Sequence, residues 1–321
     1  MRVSFDKMQG LGNDFIVIED LADEIHLSEG QVIALCDRNF GIGADGVIIM
    51  RRSTLEDADF AWWFANADGS IAEMCGNGIR CAVRALLEWG LIPADASHVA
   101  IETSTGVRKV EIEIDEEGVF EYATVDMGSA DLNPSAIGVA LEPNTALEIE
   151  FGGDSGDDPD IVEAPSRETL SVEGVIDYPL TIDQFDRPIE ITCLSMGNPH
   201  TVIDLRTLGC SIAGAPVEEI GPAIEMHPAF GNRTNVAFIE VVDENTLNVR
   251  VWERGCGETL ACGTGACAAA VSAYLHGLVC ETLTVQLPGG DLSITIDPAT
   301  LGVRMAGPAY LVYAGTIGLD E

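Results

Sequence analysis

The sequence is poor in basic residues and in long apolar runs. Its 321 residues include 16 Lys or Arg against 53 Asp or Glu, which gives a formal net charge of −37. A nucleic-acid partner requires a basic surface, so we expect none. No window approaches the roughly 18 uninterrupted apolar residues of a membrane helix, and the N-terminus has no apolar signal-peptide region. We therefore expect a cytoplasmic protein without a membrane partner.

The common metal and cofactor motifs are also lacking. The nine cysteines form no C-x-x-C pair, which argues against a zinc site, and without an export signal they indicate free thiols. The glycine-rich segment 41–46 has neither the spacing of a dinucleotide loop nor a following G-K-[ST]. Lys7 and Lys109, the two lysines, lie in no phosphate-binding pattern, which argues against pyridoxal phosphate. These absences predict chemistry without a metal or a cofactor.

The acidic residues are spread along the chain rather than gathered in one tail. At high salt the Debye length shrinks to a few ångströms, which suppresses repulsion between carboxylates. We interpret the charge as a surface adapted to high salt, with an ordinary acidic protein as the alternative. The acidic segment 133–174 has no assigned role, and residues 152–160 within it have the composition of a surface loop.

Two stretches of the chain share one pattern at a constant offset. Cys75 and Cys262 each precede a glycine-led apolar segment that ends at a glycine, and the two cysteines are 187 residues apart. The polar residues nine positions upstream, Asn66 and Glu253, are separated by the same 187 residues. One half of the molecule therefore repeats the other, and each half presents one thiol.

Apolar periodicity predicts helices at about 76–89 and 263–275, and the second is apolar on nearly all sides and must be buried. Short apolar segments elsewhere predict strands. We expect an α+β fold of two pseudo-equivalent domains, each a strongly curved, mostly antiparallel sheet or barrel around a central helix, with the active site in the cleft between them. The predicted domains are 1–130 and 131–307, and strand 308–321 is expected to return to the first.

A cysteine at the start of a helix lies next to unpaired backbone N–H groups and the positive end of the helix dipole. Both favour thiolate over thiol, so we expect activated thiols at Cys75 and Cys262. The glycines that follow allow a carboxylate to approach the backbone closely. A buried structural thiol is the alternative for either cysteine alone, and the duplication favours a functional pair.

Two thiols on opposite sides of a carboxylate-bearing carbon suit inversion of that stereocentre. One thiolate removes the α-proton, and the opposite thiol returns a proton to the other face. The helix N–H donors stabilise the enolate-like charge as it develops. The sequence therefore predicts a cofactor-free racemase or epimerase.

Five motifs, in this order along the chain, resemble those of diaminopimelate epimerases: M-Q-G-L-G-N-D-F (8–15), F-A-N-A-D-G-S-I-A-E-M-C-G-N-G-I-R-C (64–81), M-G-N-P-H (196–200), R-T-N-V-A-F (233–238) and W-E-R-G-C-G-E-T-L-A-C-G-T-G-A (252–266). The resemblance covers essentially the whole chain. It implies interconversion of L,L- and meso-diaminopimelate in lysine biosynthesis, without a cofactor.

The resemblance also implies roles for individual residues. Cys75 and Cys262 correspond to the paired acid and base. Glu253 and Arg254 correspond to a pair that engages amino and carboxylate groups, which suits a substrate with two amino-acid ends. His200 is implied to lie near the thiols, with a packing role in a loop as the alternative. The substrate contacts that the resemblance implies are Asn13, Asn66, Gly76, Asn77, Asn198, Asn235, Glu253, Arg254, Gly263 and Thr264.

The chain departs from some family members, which carry a substrate-contacting glutamine where this sequence has Gly46. Two alternatives stay open. One is an enzyme similar to proline or hydroxyproline racemases, which share the paired-thiol arrangement, and the other is a non-catalytic thiol or binding protein of the same fold. The expected partner is a small-molecule substrate, and a homodimer is left open.

Overall fold

The computed structural model describes residues 2–71, 74–115, 117–135, 137–151 and 168–319. The predicted surface loop at 152–160 lies outside the described residues. The chain forms two compact units. Unit 1 comprises the described residues within Met1–Asp126, Gly289–Asp291 and Met305–Glu321, and unit 2 comprises those within Met127–Pro288 and Leu292–Arg304.

The fold is a mixed α+β arrangement in which strands outnumber helices among the described residues. The elements up to residue 129 are β1 (Arg2–Gly10), β2 (Asn13–Glu19), α1 (Glu29–Cys36), β3 (Gly46–Arg52), β4 (Phe60–Asn66), α2 (Gly76–Glu88), β5 (His98–Thr103), β6 (Gly106–Ile114) and β7 (Phe120–Ser129).

The later elements include a short 3-10 helix at Ile212–Gly214. The others are β8 (Thr145–Phe151), β9 (Glu168–Gly174), β10 (Tyr178–Leu180), β11 (Ile189–Ser195), β12 (Pro199–Asp204), α3 (Leu205–Leu208), α4 (Val217–Glu225), β13 (Asn235–Asp243), β14 (Thr246–Glu253), β15 (Gly257–Thr259), α5 (Gly263–Leu275), β16 (Thr282–Leu287), β17 (Gly290–Asp297), β18 (Gly302–Gly307) and β19 (Tyr310–Gly318).

Unit 1 is built from strands that pack around α2. Strand β1 pairs antiparallel with β2 and with β19, β2 runs parallel to β3, and β3 pairs antiparallel with β4. Helix α2 packs against β1, β2, β3 and β19, and ten of its thirteen residues are buried. Apolar side chains from β1, β2, α1 and β3 form a second buried cluster that includes Phe5, Ile18, Leu35 and Ile49.

Unit 2 repeats this arrangement. Strands β11 and β12 are antiparallel, β12 and β13 are parallel, and β13 and β14 are antiparallel. Helix α5 packs against β11, β12, β13, β14 and β16, and eleven of its thirteen residues are buried. The prediction of a buried helix at 263–275 is confirmed, and the helix predicted at 76–89 ends one residue earlier, at Glu88.

The parallel strand pairs show which residues of the two units are equivalent. Phe15 is opposite Gly46 where β2 meets β3, and His200 is opposite Asn235 where β12 meets β13. In both units the antiparallel, parallel, antiparallel order of strands precedes the glycine-led helix. Two pseudo-equivalent halves, each with its own buried helix, are therefore present in the fold.

The acidic segment contains a two-stranded antiparallel sheet that the sequence analysis did not predict. Strands β8 and β9 pair from Thr145 opposite Gly174 to Phe151 opposite Glu168. Within the described part of the chain, no helix combines the length and the hydropathy needed to cross a bilayer.

Candidate active site

Cys75 is the N-cap of α2, as the sequence predicts. Its backbone is extended, and its Sγ accepts a hydrogen bond from the backbone N–H of Gly78 at 3.4 Å. Glycine at 78 allows close packing at the start of the helix, because a Cβ there would lie 3.2 Å from a methyl group of Ile48 and 3.3 Å from the Cβ of Cys75. The thiol therefore lies at the amino end of a buried helix, where backbone N–H groups favour negative charge.

Asn13 links this thiol to an ionic network. Its Oδ1 accepts a hydrogen bond from the thiol of Cys75 at 3.7 Å and another from Nδ2 of Asn77 at 3.2 Å. Its Nδ2 donates to Oδ2 of Asp45 at 2.7 Å, and Asp45 in turn accepts a bond from Arg38 at 2.7 Å. The amide of Asn13 is thus held in one orientation by a carboxylate on one side and by the helix start on the other.

The ionic network extends from Asp45 to a buried lysine. Arg38 donates to both carboxylate oxygens of Asp14, and Lys7 pairs with the same carboxylate and with the carbonyl of Gly43. Hydrogen bonds from Arg38 and Lys7 outweigh burial and lower the pKa of Asp14 below its usual value. These charges support the position of Asn13 through Asp45.

Arg80 lies in the second turn of α2 and is fully buried. Its guanidinium donates to Oδ1 of Asn77 at 2.9 Å, to the carbonyl of Gly76 at 3.4 Å and to the carbonyl of Pro308 at 3.3 Å. A Cβ at Gly10 would lie 3.2 Å from the guanidinium, so a glycine permits its approach. Arg80, one turn further along α2, therefore holds Gly76 and Asn77, the two residues after Cys75, through these hydrogen bonds.

Cys262 is the N-cap of α5, and its Sγ accepts a hydrogen bond from the N–H of Gly265 at 3.4 Å. Burial and the nearby carboxylate of Glu253 raise the pKa of the Cys262 thiol well above its usual value, although bonds from Thr264 and Gly265 act in the opposite direction. The hydrogen bond from the helix start favours the thiolate as expected, but burial and Glu253 have the larger effect at Cys262. Desolvation and a neighbouring anion outweigh the helix N-terminus.

Asn198 and His200 support the start of α5. Nδ2 of Asn198 donates to Oγ1 of Thr264 at 3.3 Å, and its Oδ1 lies 2.9 Å from Nε2 of His200. Burial, reinforced by the charge of Arg254, lowers the pKa of His200 to about 3. A neutral imidazole donates from Nε2 to Asn198 and leaves Nδ1 unprotonated, and Nδ1 is buried without a hydrogen bond. His200 lies in strand β12 and not in a loop.

Asn235 and Glu253 belong to adjacent strands of unit 2. Oδ1 of Asn235 accepts the backbone N–H of Arg254 at 2.9 Å, and its Nδ2 donates to the carbonyl of Pro199 at 3.1 Å. The carboxylate of Glu253 accepts a hydrogen bond from the hydroxyl of Thr259. The guanidinium of Arg254, in the turn after β14, donates to the carbonyl of Asn232, in the loop before β13, at 2.9 Å.

Asn66 ends β4 in unit 1 and donates through Nδ2 to Oγ of Ser70 at 3.0 Å. The structure brings Asn13 and Asn77 to Cys75, and Glu253 and Thr264 to Cys262. Asn66, Asn235 and Arg254 bind Ser70, Pro199 and Asn232. The sequence did not reveal Asp45, Arg80 and Glu225, which hold predicted residues or their neighbours in place.

A cavity of about 550 Å³ in unit 2, next to α4, is lined by none of the predicted residues. Over the described ranges, no cluster of three or more His, Cys, Asp or Glu side chains has metal-binding geometry.

Comparison with known sequences decides the family. A sequence profile of diaminopimelate epimerase matches residues 5–133 and 192–312. The chain belongs to the diaminopimelate epimerase family. Its relationship to this isomerase family, predicted from the five motifs, is confirmed. Every predicted site residue lies in the two matched segments, whereas most of the acidic segment 133–174 lies outside them.

Individual relatives support the assignment to diaminopimelate epimerases. The diaminopimelate epimerase of Synechococcus sp. (strain JA-2-3B'a(2-13)) is 42% identical over 316 residues, which cover 98% of each chain. That of Alkalilimnicola ehrlichii is 40% identical over 320 residues, which cover 100% of both chains. A solved structure of a hydroxyproline epimerase from Agrobacterium vitis has a TM-score of 0.66 at 14% identity, with 100% of this chain and 93% of that chain covered. At this identity the similarity shows a shared fold only.

Proposed function

We propose that this enzyme interconverts L,L- and meso-diaminopimelate by proton transfer between two cysteines, as a step of lysine biosynthesis. The observation that carries the proposal is that Cys75 and Cys262 are the N-caps of equivalent helices, each with Sγ bonded to the N–H of the third residue along. Family membership supports the substrate. The reaction requires both thiols to reach one α-carbon from opposite faces.

In the proposed mechanism, a thiolate takes the α-proton and the other cysteine supplies the proton that replaces it. The C–H electron pair stays on the substrate as an enolate-like anion until the second proton arrives, so one thiol and one thiolate exchange roles in each turnover. Backbone N–H groups of Gly76, Asn77, Gly263 and Thr264 bind the α-carboxylate and stabilise the charge that develops on it. No cofactor takes part.

The two thiols start from different protonation states in this proposal. Burial and Glu253 raise the pKa of Cys262, so this residue enters the cycle as the thiol. Cys75 then supplies the base. A bound substrate ammonium near Glu253 would offset the carboxylate's charge and ease the later loss of the Cys262 proton.

The polar residues around the thiols supply substrate contacts. We propose that the amides of Asn13, Asn66, Asn198 and Asn235 bind polar groups of diaminopimelate. Glu253 and Arg254 engage an ammonium and a carboxylate. His200 acts through its hydrogen bond to Asn198, which keeps that amide turned toward Thr264.

The test is epimerisation of L,L-diaminopimelate in D2O with a reductant present. The wild type should incorporate one deuterium at the inverted α-carbon, and Cys75→Ser and Cys262→Ser should each lose epimerisation. A serine hydroxyl is a far weaker acid and base partner at neutral pH than a thiol, so we expect losses of at least about 10³-fold. Turnover of proline in place of diaminopimelate would contradict the proposed substrate, although it would remain consistent with the fold.

The two units are proposed to be the two epimerase halves, bounded near 1–130 and 131–307, with 308–321 completing the first. Pairing of β19 with β1 supports the return of residues 308–321 to the first half.

Strand β19 also exposes four consecutive large apolar side chains, which are 40 to 56% accessible, at Tyr310, Leu311, Val312 and Tyr313. Such patches are typical of protein interfaces, and we propose a homodimer formed through this strand. Val312→Asp should convert the dimer to a monomer in sedimentation velocity.

We also propose a reducing compartment and a high salt concentration as the environment of the protein. All nine cysteines are free, which is typical of a reducing compartment such as the cytoplasm. The net charge of −37 supports a surface adapted to high salt. The thermal unfolding midpoint of the protein should be higher in about 3 M KCl than in about 0.1 M KCl, because salt screens repulsion between carboxylates. Equal midpoints would contradict that adaptation.

A further inference from the structure

We propose that Glu225 is a positioning residue that fixes the segment from Trp252 to Gly255, and through it the substrate-binding pair Glu253 and Arg254. This inference rests on the proposed function, since it concerns how unit 2 holds two of the proposed substrate contacts. Glu225 does not itself need to touch the substrate.

The carboxylate of Glu225 is buried at the end of α4, where its side chain is 7% exposed. Oε2 accepts a hydrogen bond from Nε1 of Trp252 at 2.8 Å. Oε1 accepts the backbone N–H of Gly255 at 3.0 Å and a bond from Arg233 at 3.3 Å. One carboxylate therefore holds both ends of a four-residue segment, and bonds to an ionised acceptor are about twice as strong as neutral ones.

Helix α4 also fixes the ring of Trp252. Gly221 lies one turn before Glu225 on the same face of the helix, and a Cβ at Gly221 would lie 2.6 Å from Cγ of Trp252. The indole thus packs directly on the helix backbone while its N–H is held by the carboxylate. Neither rotation nor translation of Trp252 is possible without breaking one of these contacts.

A second side chain holds the residue between these anchors. Oδ1 of Asn235 accepts the N–H of Arg254 at 2.9 Å, so the consecutive amides of Arg254 and Gly255 bind two different acceptors. Glu253 lies between Trp252 and Arg254, both of which are anchored. Its carboxylate is therefore presented beside Cys262 by a backbone with little freedom, and displacement of about 1 Å at a catalytic site costs about 100-fold in rate.

Unit 1 holds the corresponding segment differently. The N–H of Ala67 is bonded to the main-chain carbonyl of Asp45 at 2.9 Å, whereas the equivalent N–H of Arg254 is bonded to the side chain of Asn235. The bond from the N–H of Gly69 to the carbonyl of Asn66 is common to both units, since Cys256 and Glu253 form it in unit 2 at 3.0 Å. The acceptor for Ala67 belongs to the main chain and is present with any side chain. In unit 2 the acceptor for Gly255 is a side chain, which makes the position of the segment sensitive to substitution at 225.

The decisive variant is Glu225→Gln, which keeps the size of the side chain. An amide has one oxygen, so its NH2 group must face either the indole N–H or the N–H of Gly255, and donor then meets donor. Glu219→Gln is the matched control, because Glu219 is an exposed glutamate of the same helix. Both variants remove one negative charge, and the control leaves the segment intact.

Two measurements test the inference, both at a temperature where circular dichroism shows every variant folded. The first is hydrogen exchange of the peptide containing residues 252–257. The second is the steady-state rate with diaminopimelate. For Glu225→Gln we expect faster exchange at Arg254 and Gly255, a rise in KM of about tenfold and a smaller fall in kcat, because binding contacts are misplaced. Glu219→Gln should match the wild type in both.

Trp252→Phe completes a double-mutant cycle. Without the indole N–H, the NH2 group introduced by Glu225→Gln no longer faces a donor, so this change should raise KM by only about threefold in the Trp252→Phe background. A purely structural role for Glu225 predicts a lower unfolding midpoint with an unchanged KM, and this result would overturn the inference. Wild-type exchange at 252–257 in Glu225→Gln would overturn it too. If the wild type lacked epimerase activity, the proposed function would fail, and hydrogen exchange alone would still decide whether Glu225 holds the segment.

Discussion

Asn13 in unit 1 and Asn198 in unit 2 occupy equivalent places in the repeated fold. Each follows a glycine with a left-handed backbone, Gly12 at φ 85° and Gly197 at φ 90°. Asn13 binds Asn77, and Asn198 binds Thr264, so each amide contacts the second residue after its capping cysteine. Both thiol sites therefore share a left-handed glycine turn followed by an asparagine whose amide contacts the start of the helix.

The charges around the two thiols differ. Unit 1 places the buried guanidinium of Arg80 beneath the start of α2, and the residue 187 positions later in α5 is the neutral Cys267. Unit 2 places the carboxylate of Glu253 near its thiol, where unit 1 has the neutral Asn66. A duplicated scaffold therefore fixes where both thiols lie, and substitutions at equivalent positions give the two thiols different charged neighbours.

The largest effect is expected for Glu253→Gln, which removes the charge that distinguishes unit 2 from unit 1. Because the carboxylate raises the pKa of Cys262, its removal should lower that pKa and increase the thiolate fraction at a given pH. Labelling of Cys262 by iodoacetamide at pH 8 should accelerate about tenfold for each unit by which the pKa falls. Loss of the proposed ammonium contact should lower kcat/KM for diaminopimelate by about 100-fold.

Mass spectrometry of the Cys262 peptide measures the labelling rate in substrate-free protein. Glu244→Gln, an exposed glutamate of unit 2, is the control and should label at the wild-type rate. An unchanged rate in Glu253→Gln would mean that burial alone sets the state of the thiol. The two sites would then differ in exposure and not in charge.

The two units also differ at His200, since unit 1 has Phe15 at the equivalent position. Burial lowers the pKa of His200 to about 3 from a usual 6.5, so below pH 6.5 the unfolded chain binds a proton that the folded chain excludes. Stability from this residue is complete above pH 6.5 and is lost as the pH falls toward 3. Each unit of pKa difference corresponds to about 1.4 kcal/mol.

Urea unfolding at pH 7.5 and pH 5 measures this dependence. His200→Gln keeps a donor for Asn198 but does not titrate, so it should lose about 2 kcal/mol less stability than the wild type between these two pH values. Equal losses would show that His200 accepts a proton in the folded state.

Repeated motifs made much of this site predictable from the sequence. The constant offset of 187 residues placed both cysteines before buried helices, and glycine positions marked where those helices begin and end. Helix α5 was predictable because a segment that is apolar on nearly all sides, with Gly at both ends, is typical of a buried helix. Strand β8 was missed although its exposure alternates along Thr145–Phe151, because the acidic composition of the surrounding segment indicated a loop.

The supporting residues could not be assigned from the sequence, because their roles depend on contacts between distant segments. Glu225 follows Ile224 on the buried side of α4, and a glutamate at such a position signals a buried partner. The sequence does not say that the partner is Trp252. The direction of the pKa shift at Cys262 could not be predicted for a related reason. The helix N-terminus is visible in the sequence, whereas burial and the approach of Glu253 are tertiary effects.

The smallest expected effect concerns the stability of the two capped helices. In both units a thiol stands where Ser, Thr, Asp or Asn is preferred, and its sulfur, at 3.4 Å from the N–H, is a weaker acceptor than oxygen. Cys75→Ser and Cys262→Ser should therefore change the free energy of unfolding by less than about 1 kcal/mol while epimerisation is lost. Ser28→Ala, which removes the capping box of α1, should cost about 1 kcal/mol and leave the chemistry intact. Urea titrations with reductant compare the three variants. A loss well above 1 kcal/mol in either serine variant would favour a structural thiol, whereas small changes indicate that reactivity, not helix stability, determines the residue at both caps.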